Sequence, residues 1–241
     1  MKIEEEEVND IRIKPTKQNI DDALGVPAPF IDKCAVYVVS SPMGTGKSTF
    51  INSIMTAKGK GKVFKGVFDK VFYSTPQEVF ESETDHPFKN HPASRMFFDL
   101  SDKTFESIIA QALEEKEEGG SSCLILDDWG ELLKIRRVEL WLKRLIFKSR
   151  HYKLNIIISL LTLKLLPRGL RALIDVFILF KPKSLIEVGN FGDEVFAMDK
   201  KELRDLFDYV FDKPYQFLFY NQRNNTYYKN FNKLKFQKDD E

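Results

Sequence analysis

Between residues 34 and 180 the chain alternates short apolar runs with longer stretches in which apolar positions recur every three or four residues. The runs are Cys34 to Val39, Cys123 to Leu126, Leu154 to Ser159 and Ile174 to Phe180, with Asp69 to Ser74 and Met96-Phe97-Phe98 as shorter candidates. Near-continuous apolar runs of this length read as strands buried on both faces, the signature of a parallel sheet. The periodic stretches predict helices over Phe50 to Ala57, Lys103 to Glu118 and most of 129–149. In the second, Phe105, Ile108, Ile109, Ala112 and Leu113 share one face, Ser101 or Asp102 caps the start, and Gly119-Gly120 ends it. In the third, Leu140, Trp141, Leu145 and Phe147 are the expected packing residues. Strand–helix units in this rhythm predict an α/β protein, a three-layer core around a mostly parallel sheet.

The flanks carry weaker patterns. Residues 1–32 read as an N-terminal arm, with the Glu4 to Glu7 run solvated and a short strand at Ile11 to Ile13. The core then spans 33–182. Residues 183–241 form a small β-containing extension, with strand-like pieces at Gly192 to Met198 and Tyr215 to Tyr220, a helix from Asp199 to Phe211, and a turn at Asn224-Asn225. Tyr215, Phe217, Phe219, Tyr227 and Tyr228 are either stacking platforms or cross-strand packing, and Phe30 packs under the sheet or covers a base. Residues 76–94 read as a surface excursion without chemistry.

One turn stands out. Ser41-Pro42-Met43-Gly44-Thr45-Gly46-Lys47-Ser48-Thr49 joins the first apolar run to the first helix. Strand, glycine-bearing turn and helix are the context a phosphate-binding loop requires. Successive backbone N–H groups can cradle phosphate oxygens, and the helix N-terminus adds unpaired donors and partial positive charge. In that reading Lys47 reaches the β- and γ-phosphates of ATP, and the Ser48 hydroxyl joins a Mg²⁺ shell. The general pattern begins with glycine; Ser41 fits there if its φ is negative.

A second chemical element matches the first. The apolar run Cys123 to Leu126 ends in Asp127 and Asp128. Active groups gather at the carboxyl ends of parallel strands. Asp127 would support Mg²⁺ and Asp128 would orient or deprotonate an attacking water. The run carrying Asp127 is expected beside the run carrying Ser41, with Lys47 and Asp127 facing one pocket.

Composition changes this picture only locally. The 37 Lys and Arg nearly balance the 36 Asp and Glu, so the whole-chain field says nothing about polyanions. Two intervals lack acidic residues. One, Thr49 to Phe68, carries Lys58, Lys60, Lys62 and Lys65; the other, Leu140 to Ile174, carries Lys143, Arg144, Lys148, Arg150, Lys153, Lys164, Arg168 and Arg171. Such faces are solvated, contact nucleic-acid phosphates without reading bases, or donate a charge across a subunit boundary. Cys34 and Cys123 read as buried free thiols, and the histidines form no ligand cluster. No run approaches a membrane span, and the start is acidic where a signal peptide would be basic and then apolar, so an intracellular protein is expected.

The phosphate loop, the Leu124 to Asp128 motif, Ser149-Arg150-His151-Tyr152 and the segment from Ile158 through Pro167 to Arg171 together resemble the genome-packaging ATPases of double-stranded DNA viruses with double jelly-roll capsids, within the FtsK–HerA superfamily. The resemblance spans roughly residues 33–182 and implies an ASCE/RecA-like fold with two strands between the Ser41 strand and the Asp69 to Ser74 strand. It further implies a hexameric ring that drives duplex DNA into a capsid, docks on capsid proteins at a vertex and works at assembly sites in the host cytoplasm, with retention in the virion. Arg150 matches the family's arginine–histidine pair and is the first candidate for an arginine acting in trans; Arg171 is the second and Arg144 the third. Leu161 stands where the family has a sensor glutamine, leaving Ser159 or Thr162 to substitute. Lys58, Lys60, Lys62, Lys65, Lys164 and Arg168 are the candidate DNA contacts. A strand-separating or DNA-mobilising ATPase and a nucleotide-dependent capsid-docking protein are the alternatives.

Overall fold

In the computed structural model the described residues are 22–82, 86–183, 195–196 and 198–236. The expected strand at Ile11 to Ile13 lies outside them, as does most of the Gly192 to Met198 piece; Val195 and Phe196 from that piece are buried.

Among the described residues the strands are β1 (Val36–Ser40), β2 (Lys70–Ser74), β3 (Met96–Phe97), β4 (Ser122–Asp127), β5 (Leu154–Leu160), β6 (Val176–Phe180), β7 (Phe217–Asn221), β8 (Thr226–Lys229) and β9 (Asn232–Lys233). The helices are α1 (Lys47–Thr56), α2 (Gln77–Ser82), α3 (Asp102–Glu117), α4 (Arg136–Tyr152), α5 (Arg168–Arg171) and α6 (Lys200–Val210). These strands join one sheet in the order β3-β2-β4-β5-β1-β6-β7-β8-β9. The first six are parallel, and β7 to β9 continue the sheet from β6 as an antiparallel meander.

Period-two alternation divides the core into two layers. Val36, Val38, Leu124, Leu126, Ile156, Ile158 and Leu160 face the side covered by α3, α4 and α6. Tyr37, Val39, Cys123, Ile125 and Ile157 face α1 and the aromatic cluster of Phe30, Phe64 and Phe68. Phe30 packs edge-on against Phe64 and Phe219, so it lies under the sheet. Phe217, Phe219 and Tyr227 are buried packing residues, and both cysteines are buried and unpaired.

Two expectations fail here. The strands ending near Val39 and Leu126 are not side by side: β5 lies between them, pairing Ser40 with Leu160 on one edge and Asp127 with Ser159 on the other. The β4–α4–β5 crossover returns the chain into the slot next to β1, which leaves two strands, β4 and β5, between β1 and β2. Leu140 and Phe147 do not pack; they are exposed on α4. The buried stripe of that helix runs through Val138, Leu142, Leu145, Ile146, Ser149 and Tyr152, and helical periodicity puts positions 140 and 147 on the opposite side.

Candidate active site

The loop after β1 is fixed by short-range polar contacts. The Ser41 N–H donates to Leu160 O at 3.0 Å, which carries the pairing with β5 one residue past the strand. The Thr45 hydroxyl donates to Pro42 O at 2.8 Å and contacts the Ser41 hydroxyl closely. Gly44 and Gly46 sit at φ 77° and 107°, conformations that favour glycine, whereas Ser41 is not among the residues with positive φ. Gly46 is the N-cap of α1, whose first turn carries no acidic side chain, so the unpaired N–H groups there meet no internal counter-charge on the helix.

At the same edge of the sheet β4 ends at Asp127, and Asp128 turns the chain at φ 58°. Lys47, 8% exposed, places Nζ 3.0 Å from Asp128 Oδ1 and 3.9 Å from Asp127 Oδ1. The separation of β1 and β4 by one strand therefore does not separate the lysine from the carboxylates. Asp127 Oδ2 accepts a hydrogen bond from the Tyr73 hydroxyl at 2.8 Å, while its buried Oδ1 has no hydrogen-bond partner among the described residues. Ser159, in register with Asp127 across the β4–β5 pair, also has a buried hydroxyl without a partner among them. Thr162 caps the short turn at Leu163–Leu165, and Leu161 packs against the core. Of the two candidate substitutes for a sensor amide, only Ser159 is in register with Asp127.

These groups suit a hard divalent cation. An orphaned carboxylate oxygen of Asp127 and the half-buried Ser48 hydroxyl are oxygen donors, and among the described residues no group of three or more His, Cys, Asp or Glu could hold an ion alone. Mg²⁺ is bound in this manner, through one or two protein oxygens with the rest of the shell from water and phosphate.

Beside the loop, an open apolar cleft of about 590 Å³ is lined by residues including Gly46, Thr49, Phe50, Phe180, Tyr215 and Phe217. Tyr215 is 72% exposed in a left-handed conformation. A Cβ added to Gly46 would meet Phe180 and Tyr215 at 3.5 and 3.6 Å, so those rings border the loop itself.

The other predicted residues scatter. Arg150 is exposed at the C-terminal end of α4, beside the start of β5, hence at the opposite edge of the sheet from Lys47. Lys58, Lys60 and Lys62 are exposed just after α1, at that same opposite edge, and Lys65 is half-buried. Burial, then the neighbouring Lys58 charge, lowers the Lys65 pKa. Lys164 follows β5 at the loop edge, and Arg168 and Arg171 sit on α5, with Arg171 Nε donating to Leu166 O at 3.4 Å. The candidate nucleic-acid residues therefore do not form one patch on this chain.

Sequence reasoning missed Tyr73 and His86, and it named Tyr215 as a stacking or packing residue without placing it beside the phosphate loop. The stretch 76–94 is not merely a surface excursion: His86 and Phe88 are buried, and His86 Nε2 lies 2.9 Å from the Tyr73 hydroxyl. Nothing in the local pattern marks a tyrosine inside an apolar strand as polar-linked; a histidine between an acidic residue and a proline is the only available signal.

No family model and no curated protein matches the chain. Solved structures do. The genome packaging NTPase B204 from Sulfolobus turreted icosahedral virus 2, in complex with AMPPCP, superposes with a TM-score of 0.58 at 16% identity, over 83% of this chain and 98% of that one. B204, the DNA-packaging ATPase from Sulfolobus Turreted Icosahedral Virus, gives 0.59 at 16% identity over 81% and 96%. The pCW3 conjugation coupling protein TcpA gives 0.51 at 14% identity, over 86% of this chain and 62% of that one. This chain is thus built on the fold of the viral packaging NTPases, a P-loop NTPase three-layer core around a mostly parallel sheet.

Proposed function

We propose that this protein is a Mg²⁺-dependent ATP hydrolase that moves double-stranded DNA into a viral capsid. The observation that carries the hydrolase reading is Lys47, held between the two carboxylates that end β4 and next to a loop with left-handed glycines at Gly44 and Gly46.

The loop from Ser41 to Thr49 binds the phosphates through backbone N–H groups, and Lys47 exchanges its contact with Asp128 for the β- and γ-phosphate oxygens. That exchange frees Asp128 to orient the attacking water and accept its proton. Ser48 and Asp127 would hold Mg²⁺, which when bound would neutralise charge on the phosphate oxygens. The adenine lies in the cleft beside Gly46 and stacks on Tyr215.

Arg150 serves a neighbour's site. It stands a full strand length, roughly 20 Å for six residues, from its own Lys47, so within one subunit the sheet keeps the two apart. A hexameric ring, in which each subunit presents Arg150 to the next, satisfies that geometry; Arg171 is the alternative donor. Mixing Arg150→Ala and Lys47→Ala subunits tests this: partial recovery of hydrolysis supports action in trans, and none in a verified assembly opposes it. Lys58, Lys60, Lys62, Lys65, Lys164 and Arg168 contact DNA phosphates, on surfaces that one subunit separates and a ring brings around a common duplex. Docking on capsid proteins at a vertex, assembly in the host cytoplasm and retention in the virion complete the reading.

The resemblance to the TcpA fold favours one competitor, a DNA-mobilising ATPase. A single assay series separates the two. ATP turnover stimulated by long duplex DNA, with displacement of a triplex-forming strand and no unwinding, supports the packaging motor. Unwinding supports the mobilising enzyme. Absence of duplex binding and of DNA-stimulated turnover at low salt sinks both and leaves a capsid-docking protein.

A further inference from the structure

We propose that Tyr73 and His86 are positioning residues for the metal-supporting carboxylate, fixing which oxygen of Asp127 is offered to the divalent ion. The inference rests on the nucleotide-site reading above and extends it to a segment, residues 76–94, to which that reading gives no part.

The geometry is a directed chain of hydrogen bonds. The Phe88 N–H donates to His86 Nδ1 at 3.2 Å. A ring nitrogen that accepts carries no proton, so the proton of the neutral imidazole is on Nε2. Nε2 faces the Tyr73 hydroxyl oxygen at 2.9 Å and donates to it. With its oxygen so engaged, Tyr73 donates its own proton to Asp127 Oδ2 at 2.8 Å. These three donors point the same way, from the backbone of the 86–88 turn to the carboxylate.

Packing holds the chain in that state. Tyr73, His86 and Asp127 are all buried. The Tyr73 ring stacks on Phe88 with centroids 4.5 Å apart and planes inclined by 18°, and Phe80 closes on His86 at 4.8 Å. One residue beyond Tyr73, the Ser74 hydroxyl accepts from Trp129 Nε1 at 3.0 Å, a second tie between the end of β2 and the turn after Asp127-Asp128.

The consequence lies in what is left over. A free carboxylate presents two equivalent oxygens and can turn about its last torsion, which has a broad preference. Here Oδ2 is occupied, while Oδ1 is buried, lacks a hydrogen bond from any described residue and lies 3.9 Å from Lys47 Nζ. A buried ionised oxygen without a partner is unfavourable unless another group arrives. The Tyr73 bond keeps Oδ1 turned toward the phosphate loop, where the ion would be taken up. Groups that orient metal-supporting carboxylates in this manner affect ion affinity and turnover rather than nucleotide affinity alone.

The test uses the full-length chain with a non-hydrolysable ATP analogue and Mn²⁺, whose binding is read by the loss of the free-ion electron paramagnetic resonance signal. Tyr73→Phe keeps the ring and removes the donor. It should weaken Mn²⁺ binding by about ten-fold or more, leave analogue binding in EDTA unchanged, and lower kcat with little change in KM for ATP. His86→Leu, which removes the donor to Tyr73, should act in the same direction. His86→Gln, which retains an N–H toward the Tyr73 oxygen, should restore much of the loss. Wild-type Mn²⁺ affinity and kcat in Tyr73→Phe and His86→Leu would overturn the proposal. If Tyr73→Phe fails to fold, the His86→Leu and His86→Gln pair decides: equal Mn²⁺ affinities overturn it, and a difference in favour of glutamine supports it. A wild-type chain that binds no nucleotide overturns the underlying site reading and this proposal with it, an outcome distinct from nucleotide binding with unaltered Mn²⁺ affinity in the variants.

Discussion

Lys47 Nζ and Asp128 Oδ1 are 3.0 Å apart, and the pair joins the N-terminus of α1 to the end of β4 across the intervening strand β5. Asp127 stands next in sequence, its Oδ1 3.9 Å from the same ammonium. Removing the lysine leaves two adjacent carboxylates, one of them buried, with no cation between them. Lys47→Ala should therefore lower the free energy of unfolding by about 2 to 4 kcal/mol, in addition to abolishing nucleotide binding. The double variant Lys47→Ala/Asp128→Asn should regain part of that loss, because the repulsion is removed. Urea unfolding of wild type, both single variants and the double variant checks this; additive losses would show that the pair does not couple.

The cleft beside Gly46 makes a separate prediction. Tyr215 is exposed and left-handed although it is not glycine, and it faces the loop rather than the core. If the base stacks there, Tyr215→Ala should weaken ATP binding by about ten-fold and leave tripolyphosphate binding unaltered, with Tyr215→Phe close to wild type. Equal losses for ATP and tripolyphosphate would place the defect in the loop instead.

Both thiols are buried, and burial pushes the Cys34 thiol up to about 12 and raises Cys123 as well. The sign follows from linkage. Above the ordinary thiol value of roughly 8.5 the unfolded chain loses these protons while the folded chain keeps them, so stability falls as pH rises from there toward the folded value. The slope reaches about 1.4 kcal/mol per pH unit for each thiol. Cys34→Ala should flatten the decline between about pH 8 and 10 relative to wild type, measured by urea unfolding. Below about pH 8 neither thiol should react with iodoacetamide in the folded protein. Rapid native-state alkylation of either would contradict the burial.

The lysines after α1 predict a salt signature. Lys58, Lys60 and Lys62 are exposed, and burial first, then the neighbouring Lys58 charge, lowers the Lys65 pKa. Crowded cations of this kind are relieved by phosphate. Replacing Lys58, Lys60 and Lys62 by alanine should weaken duplex binding about equally for unrelated sequences. It should also reduce the slope of log K against log salt by about 0.9 for each phosphate that is no longer neutralised. An unchanged slope would assign the loop to solvent.

Much of this architecture is legible in the sequence because the signals are local. Apolar runs bounded by turn residues mark the core strands, and Gly44, Gly46 and Lys47 between a strand and a helix mark the loop. Asp127 and Asp128 are legible for the same reason, as carboxylates at the end of a run. Lateral strand order is not: the pattern of β4 says that it is buried on both faces and nothing about which neighbours bury it, so only the structure places β5 between β4 and β1. Leu140 and Phe147 mislead because the exposed face of α4 carries apolar residues that composition cannot distinguish from the buried stripe. Tyr73 and His86 are invisible because their link to Asp127 is a long-range tertiary one, across 54 residues in the case of Tyr73.

The most direct test of the account compares nucleotide binding with turnover in the wild type and Asp128→Asn. Asparagine keeps the size of the side chain and removes the carboxylate. With ATP and Mg²⁺ the variant should bind nucleotide at least as tightly as wild type, since Lys47 no longer has a competing carboxylate at position 128. Its steady-state phosphate release should fall by about 100-fold or more. Undiminished phosphate release from Asp128→Asn would contradict the assignment of Asp128 as the residue that activates water.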